Sequence, residues 1–309
     1  MKVAVTGGCG FIGSHVVDKL RDQNLEVRVL DSLGTPHRDD VEHVRVDIMD
    51  LEALKEATRG IDVIFHLAAV ADVNNVAADP TGSVGLNILG TANVLEAARH
   101  NEARRVVLAS TVWVYGAARE ERVDETVCFD PALTGHVYTT TKIAAEMLCH
   151  DYWTMYKLPF TILRYGIPYG PRMRPSLVIP IFMRKALAGE AMTVAGDGSQ
   201  NRKFVYVEDL ADAHVLALAP EAENQTFNID GSEEVTILRI AETVHRLVGG
   251  KGIEFVPART GDYGGKQVSS TKAAREIGWT PKVGFDTGME RTVAWFLETQ
   301  GQPAVLNKV

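Results

Sequence analysis

The sequence predicts an α/β chain built on a doubly wound parallel sheet, and three observations carry that prediction. Short, nearly continuous apolar runs recur through the first 165 residues: KVAVTG, EVRVLD, VRVDI, DVIFHLAA, RRVVLAS and FTILRYG. Runs rich in β-branched residues, with no polar face, are the mark of parallel strands covered on both sides. Segments of helical periodicity at 14–24, 51–58, 84–100 and 137–156 separate them, so strand and helix alternate. The third observation is a glycine-rich turn between the first strand and the first helix.

The elements follow in order. LEALKEATRG reads as a helix ending at Gly60, where a helix C-cap favours glycine. After Arg164 the texture changes: YGIPYGPRMRPSLVIP packs four Pro and two Gly into sixteen residues, which suits a site-forming loop. A helix is expected near 177–188, and KFVYVEDLADAHVLAL reads as a strand followed by a helix. TFNID and IEFVPA read as strands, 237–248 as a helix and 286–298 as a closing helix. These changes predict one domain over 1–165, with 203–220 returning to it. A smaller α/β substrate-binding domain takes 166–202 and 221–309.

Composition excludes several classes. A net charge of −8 argues against sequence-independent binding to nucleic acid or to an anionic membrane. Cys9, Cys128 and Cys149 are scattered without metal-ligand spacing, as expected of reduced thiols. Met1 leads straight into KVAVTGG without an export-type apolar region, and no apolar stretch approaches the roughly 18 residues of a membrane span. A cytoplasmic protein is expected.

In VAVTGGCGFIGSHVV, Gly7, Gly10 and Gly13 form GxxGxxG, and Gly8, Gly10 and Gly13 also fit GxGxxG. Such a turn lets a pyrophosphate reach main-chain N–H groups at a helix N-terminus. Asp31 ends the second strand eighteen residues past Gly13, where a carboxylate binds the adenosine ribose and repels a 2′-phosphate. NAD is therefore expected over NADP, although Arg38 in the next loop argues the other way. Tyr138 and Lys142 lie four residues apart near a helix start, on one face. A free phenol titrates near 10, so an acid/base tyrosine needs a drop of about 3 units, roughly 4 kcal/mol. A neighbouring ammonium favours the phenolate. Thr111, ending the strand LAST, offers a hydroxyl to share the substrate proton.

Taken together these motifs resemble the extended short-chain dehydrogenases/reductases, specifically the NAD-dependent nucleotide-sugar epimerase/dehydratase family. The likeness runs nearly end to end: TGGCGFIGSH, VDIMD, HLAA, NILGTANVLEAAR, STVWVYG, YTTTK, LRYGIPYGPR, GDGSQNRKFVYVEDLADA and RTGD…TKAAREIGW follow in family order. The resemblance implies a Rossmann domain whose NAD contacts come from Gly7, Gly10, Phe11, Ile12, Gly13, Asp31, Ser32, Asp47, Ile48, Leu67, Ala68, Ala69, Asn87, Tyr138, Lys142 and Tyr165. It implies that Tyr138 removes the proton of a sugar 4-OH, that Thr111 hydrogen-bonds that oxygen, and that Lys142 binds the nicotinamide ribose. Arg202 and Arg259 match diphosphate contacts, a task that suits guanidinium. A homodimer, pairing through the helices at 84–100 and 137–156 with apolar positions such as Leu95, Ile143 and Met147, is also implied.

Family members that dehydrate carry an Asp-Glu pair just after the threonine, and decarboxylases usually keep the Glu. Here Val112 and Trp113 stand there, and neither exchanges a proton. Epimerisation at C4 of a UDP-hexose or UDP-hexuronate asks least beyond what is present. A 4-ketoreductase and a catalytically silent dinucleotide sensor are the alternatives. Ile167 replaces the family Asn at the nucleotide-sugar site, Lys203 replaces an Asp after Arg202, and Val76 replaces a Ser. Trp113 reads either as a wall of the sugar site or as a core aromatic. His136 reads as a site or loop residue, and Cys149 and His150 as packing residues.

Overall fold

The computed structural model describes residues 1–257 and 266–301. It divides into two compact units, the first comprising Met1–Tyr165, Ala211–Ile229 and Lys266–Thr280. The return differs from the 203–220 read from the sequence: 203–210 belongs to the second unit, while 221–229 and 266–280 join the first.

The first unit holds a seven-stranded sheet: β1 (Lys2–Thr6), β2 (Glu26–Leu30), β3 (Glu42–Val44), β4 (Val63–His66), β5 (Arg105–Thr111), β6 (Phe160–Tyr165) and β7 (Gln225–Ile229). Their spatial order is β7-β6-β5-β4-β1-β2-β3 and every pairing is parallel. The order reverses between β1 and β4, the place where doubly wound sheets open a crevice at the carboxyl ends of their strands. Register places Thr6 beside His66, His66 beside Leu108 and Thr111 beside Tyr165. The strand ends that carry the predicted site therefore lie side by side.

The apolar runs are buried as their composition requires. All seven residues of β5 are buried, and Val3, Val5, Ile64, Phe65 and Ile162 are closed off from water. Each such aliphatic side chain contributes about 1.5–3 kcal/mol on leaving water. The sheet is flanked by α1 (Phe11–Asp22), α2 (Leu51–Ala57), α3 (Gly90–His100) and α4 (Val137–Tyr156). α4 buries Tyr138, Thr141, Lys142, Ala145, Glu146 and Cys149, a stripe at the helical period.

Three local expectations change. VRVDI was read as one strand, but β3 stops at Val44 because aspartates beyond it hydrogen-bond locally. Asp47 accepts from the Met49 N–H at 2.9 Å, and Asp50 caps α2 through Ala53 N–H at 3.0 Å. α2 ends at Ala57 with Thr58 as its C-cap, so Gly60 lies two residues past the cap with φ +71°. The segment at 84–100 is not one α-helix: Gly85–Leu89 is a π-helical turn that runs into α3.

The second unit comprises the described parts of 166–210, 230–265 and 281–309. Asn201–Tyr206 lies between Ile167–Tyr169, parallel to it, and Glu234–Thr236, antiparallel to it. Met192–Ala195 pairs with Ile253–Val256. Tyr169, Phe204, Tyr206 and Phe285 form an aromatic cluster, with Tyr169 and Phe285 rings 5.4 Å apart. Among the described residues no helix is long and apolar enough to cross a membrane, and no group of His, Cys, Asp and Glu could hold a metal ion.

Candidate active site

The glycine turn leaves β1 with Gly7 in the left-handed region at φ +69°. A Cβ there would stand 2.9 Å from the Ala68 backbone, and one on Gly13 would stand 2.1 Å from the Gly7 carbonyl. Both positions therefore require glycine. α1 starts at Phe11 on Gly10, with no side-chain cap and no acid in its first turn. Its first N–H groups, on Phe11, Ile12 and Gly13, are the ones a helix leaves without intrahelical partners. Asp31, just past β2, accepts from Leu33 N at 2.9 Å, Gly34 N at 3.1 Å and Cys9 N at 3.0 Å, which fixes a negative charge beside the turn. Burial, then Asp31, pushes the Cys9 thiol up to about 12, so it stays protonated.

Arg38 is engaged elsewhere: its guanidinium pairs with Asp40 at 2.7 Å and with Asp18 and Asp22 at 3.6 and 3.9 Å. The turn and the placement of Asp31 fit NAD. Nearby, the Ser32 carbonyl accepts from Arg45, and the Ile48 and Met49 carbonyls accept from Asn93. Leu67 and Ala68 each donate a backbone N–H to the Thr6 hydroxyl at 3.2 Å, just ahead of Ala69.

Thr111 ends β5, and its hydroxyl oxygen accepts from Trp113 N at 3.2 Å, capping a 3₁₀ turn over Val112–Ala117. That turn carries the half-buried Trp113 ring edge-on to Tyr138 at 6.3 Å and to His136 at 6.5 Å. Trp113 is thus a neighbour of the tyrosine rather than a core aromatic. His136 is the N-cap of α4, its Nδ1 accepting from Tyr138 N at 3.0 Å. Lys142 is buried and donates to the Ala109 carbonyl at 2.9 Å. Burial lowers its ammonium to about 8, with the Glu146 carboxylate opposing the fall. Tyr165 ends β6, its hydroxyl 2.5 Å from His214 Nε2. Burial, then Tyr138, holds the Tyr165 phenol well above its ordinary value, so it stays neutral.

Two sets of buried groups escaped the sequence reading. Glu146, one helical turn past Lys142, accepts from Ser110 at 2.5 Å and is gripped by Arg164 Nε at 3.0 Å and Nη2 at 2.7 Å. Arg164 also donates to the Tyr115 hydroxyl, which donates to Asn228. The signal available was the Lys-xxx-Glu spacing. The second set surrounds Asn87, whose amide accepts from Val70 N at 2.8 Å and donates to Val70 O at 3.0 Å and Thr141 Oγ1 at 3.1 Å. That amide braces the loop after β4 against α4.

In the second unit, Ile167 pairs in register with Phe204, and Arg202 donates to the Asn201 carbonyl at 2.6 Å. Lys203 lies close enough to Asp230 to act on its charge, although burial dominates and lifts that carboxyl to about 7. Val76 is buried. Arg259 lies outside the described residues.

Comparison with known proteins gives this arrangement its class. Residues 3–230 match the NAD dependent epimerase/dehydratase family, so the chain belongs to that family and is an enzyme whose cofactor is NAD. It is 33% identical over 311 residues to the UDP-glucose 4-epimerase of Mycolicibacterium smegmatis, covering 96% of this chain and 98% of that one. It is 32% identical to UDP-glucuronic acid decarboxylase 1 of Danio rerio, over 96% of this chain and 72% of that protein. The dTDP-glucose 4,6-dehydratase DesIV of Streptomyces venezuelae, solved with NAD bound, superposes with a TM-score of 0.89 at 30% identity, over 97% and 98% of the two chains. Three reactions at similar identity leave the choice of chemistry to individual residues.

Proposed function

We propose that the protein is a 4-epimerase of nucleoside-diphospho sugars, acting on a UDP-hexose or UDP-hexuronate. The observation that carries this reading is the indole of Trp113 beside Tyr138, where elimination or decarboxylation calls for a proton-exchanging carboxylate. The family's acidic pair is replaced by Val112 and Trp113, and the buried acid nearest in sequence to Lys142, Glu146, is committed to Arg164 and Ser110. What remains is proton transfer at one hydroxyl.

Tyr138 takes the proton of the sugar 4-OH, and Thr111, at the neighbouring strand end, hydrogen-bonds the same oxygen. Lys142, while charged, favours the Tyr138 phenolate and holds the nicotinamide ribose. NAD, held at the glycine turn and by Lys142, would supply the hydride acceptor and donor for C4, and return of the hydride to the other face of the keto sugar would invert that centre. The first unit is the NAD-binding part and the second holds the nucleotide sugar, with Arg202 and Arg259 on the diphosphate and Ile167 lining the sugar-nucleotide site. A homodimer through the Gly85–His100 segment and α4 completes the proposal. Leu95 is buried in the core, but Leu89, Met147, Met155 and Tyr156 are exposed there.

Trp113 also favours a second reading, because an aromatic beside Tyr138 can restrict turning of the keto sugar and leave a one-way 4-ketoreductase. Cofactor stoichiometry separates the two. Turnover of UDP-glucose or UDP-glucuronate without added reductant supports the epimerase. Consumption of one NADH per product would establish the reductase instead.

A further inference from the structure

A continuous chain of buried hydrogen bonds leads from the glycine turn to the start of α4. Thr6 Oγ1, at the end of β1, lies 2.8 Å from His66 Nδ1, and His66 Nε2 lies 3.0 Å from Thr91 Oγ1 on α3. Thr91 Oγ1 donates to the Asn87 carbonyl at 2.6 Å inside the π-helical turn. The Asn87 side-chain amide then donates to Thr141 Oγ1 at 3.1 Å, and that hydroxyl donates to the Tyr138 carbonyl at 2.8 Å. Thr6, His66, Thr91, Asn87 and Thr141 are all buried.

The direction of each bond follows from the ends. Thr91 spends its only proton on Asn87, so it accepts from His66, and Nε2 carries the hydrogen. Nδ1 is then the acceptor, and the Thr6 proton points at it while Leu67 N and Ala68 N donate to the Thr6 oxygen. His66 must be neutral with one fixed tautomer, in keeping with burial and the Lys142 charge pulling its pKa down to about 3. The π-turn serves the same end. Within it the Asn87 carbonyl accepts from Thr91 while the Asn87 side chain spans Val70 and Thr141. π-turns inside helices are frequent at functional sites.

From this geometry we infer that His66 is a positioning residue that registers the catalytic helix against the dinucleotide turn, linking NAD binding to the placement of Tyr138 and Lys142. The role of those two residues rests on the function proposed above; the linkage itself is read by NAD affinity, which does not depend on the sugar reaction. Thr141 sits between them in sequence, far along the chain from the glycine turn. Thr141 is not itself among the expected NAD contacts, so a change there reaches NAD through the placement of its neighbours Lys142 and Asn87.

The test is isothermal titration of NAD into the whole protein carrying Thr91→Val, Thr141→Val or both. Each single change removes one hydroxyl from the chain and weakens NAD binding by about fivefold, a modest allosteric coupling. The double variant binds no more weakly than the weaker single, because one broken link already releases the helix. Thr141→Ser, which keeps the hydroxyl, binds as the unaltered protein does and guards against a misfolded valine variant. NAD affinity within twofold of the unaltered protein in Thr141→Val, or single effects that multiply in the double variant, would overturn the inference. Retained linkage with no epimerisation of any sugar would instead count against the proposed reaction alone.

Discussion

In the proposed reaction proton chemistry concentrates at Tyr138 and Lys142, and their surroundings set what each can do. Tyr138→Phe keeps the ring that packs against Trp113 but removes the hydroxyl. Turnover is expected to fall by about 10²–10⁴, the usual worth of a positioned acid/base. Unchanged turnover of every sugar nucleotide would defeat both the epimerase and reductase readings. Lys142 supplies the pH dependence. Its ammonium titrates near 8 in the folded protein against an ordinary 10.5. Activity that needs its charge is present below about 8 and is lost as pH rises through that value. Stability moves the other way. Between about 8 and 10.5 the unfolded chain holds a proton that the folded chain has released, so stability rises with pH across that window. A pH–rate profile of the free enzyme, set beside denaturant melts over the same range, checks both signs.

At the scale of elements, β5, β6 and α4 are joined by side chains rather than by apolar packing alone. Ser110 and Arg164 are register partners on β5 and β6, and both reach Glu146 on α4. Glu146 raises the Lys142 pKa from one turn away, so Glu146→Gln moves the alkaline limit of activity to lower pH. An unmoved limit would remove Glu146 from the account.

The same elements mark how far the sequence could be read. Alternation, the glycine turn, Asp31 and the Tyr138–Lys142 face were legible because each depends on residues close together in the chain. Helix 137–156 followed from periodicity alone. The Glu146–Arg164 pair and the Thr6-to-Thr141 chain were not, because strand order and register create them and no local pattern encodes either. His136 was weighed as a site or loop residue and proved to be a helix cap, a role for which Ser, Thr, Asp and Asn are the usual signals.

For the whole molecule, family membership and fold agree, while the relatives divide among epimerase, decarboxylase and dehydratase. The side chains after Thr111 carry the proposed distinction. The proposed dimer makes a separate prediction: light scattering at micromolar concentration gives twice the 33.7 kDa chain mass. A monomeric mass would refute it.

The most direct test of the central claim is proton NMR of the purified protein with UDP-glucose, and separately with UDP-glucuronate, in deuterated water without added cofactor. A 4-epimerase interconverts the two C4 configurations, keeps C6 intact and places no solvent deuterium at C5. A 6-deoxy-4-keto product, loss of C6 as carbon dioxide, or deuterium at C5 would contradict the account.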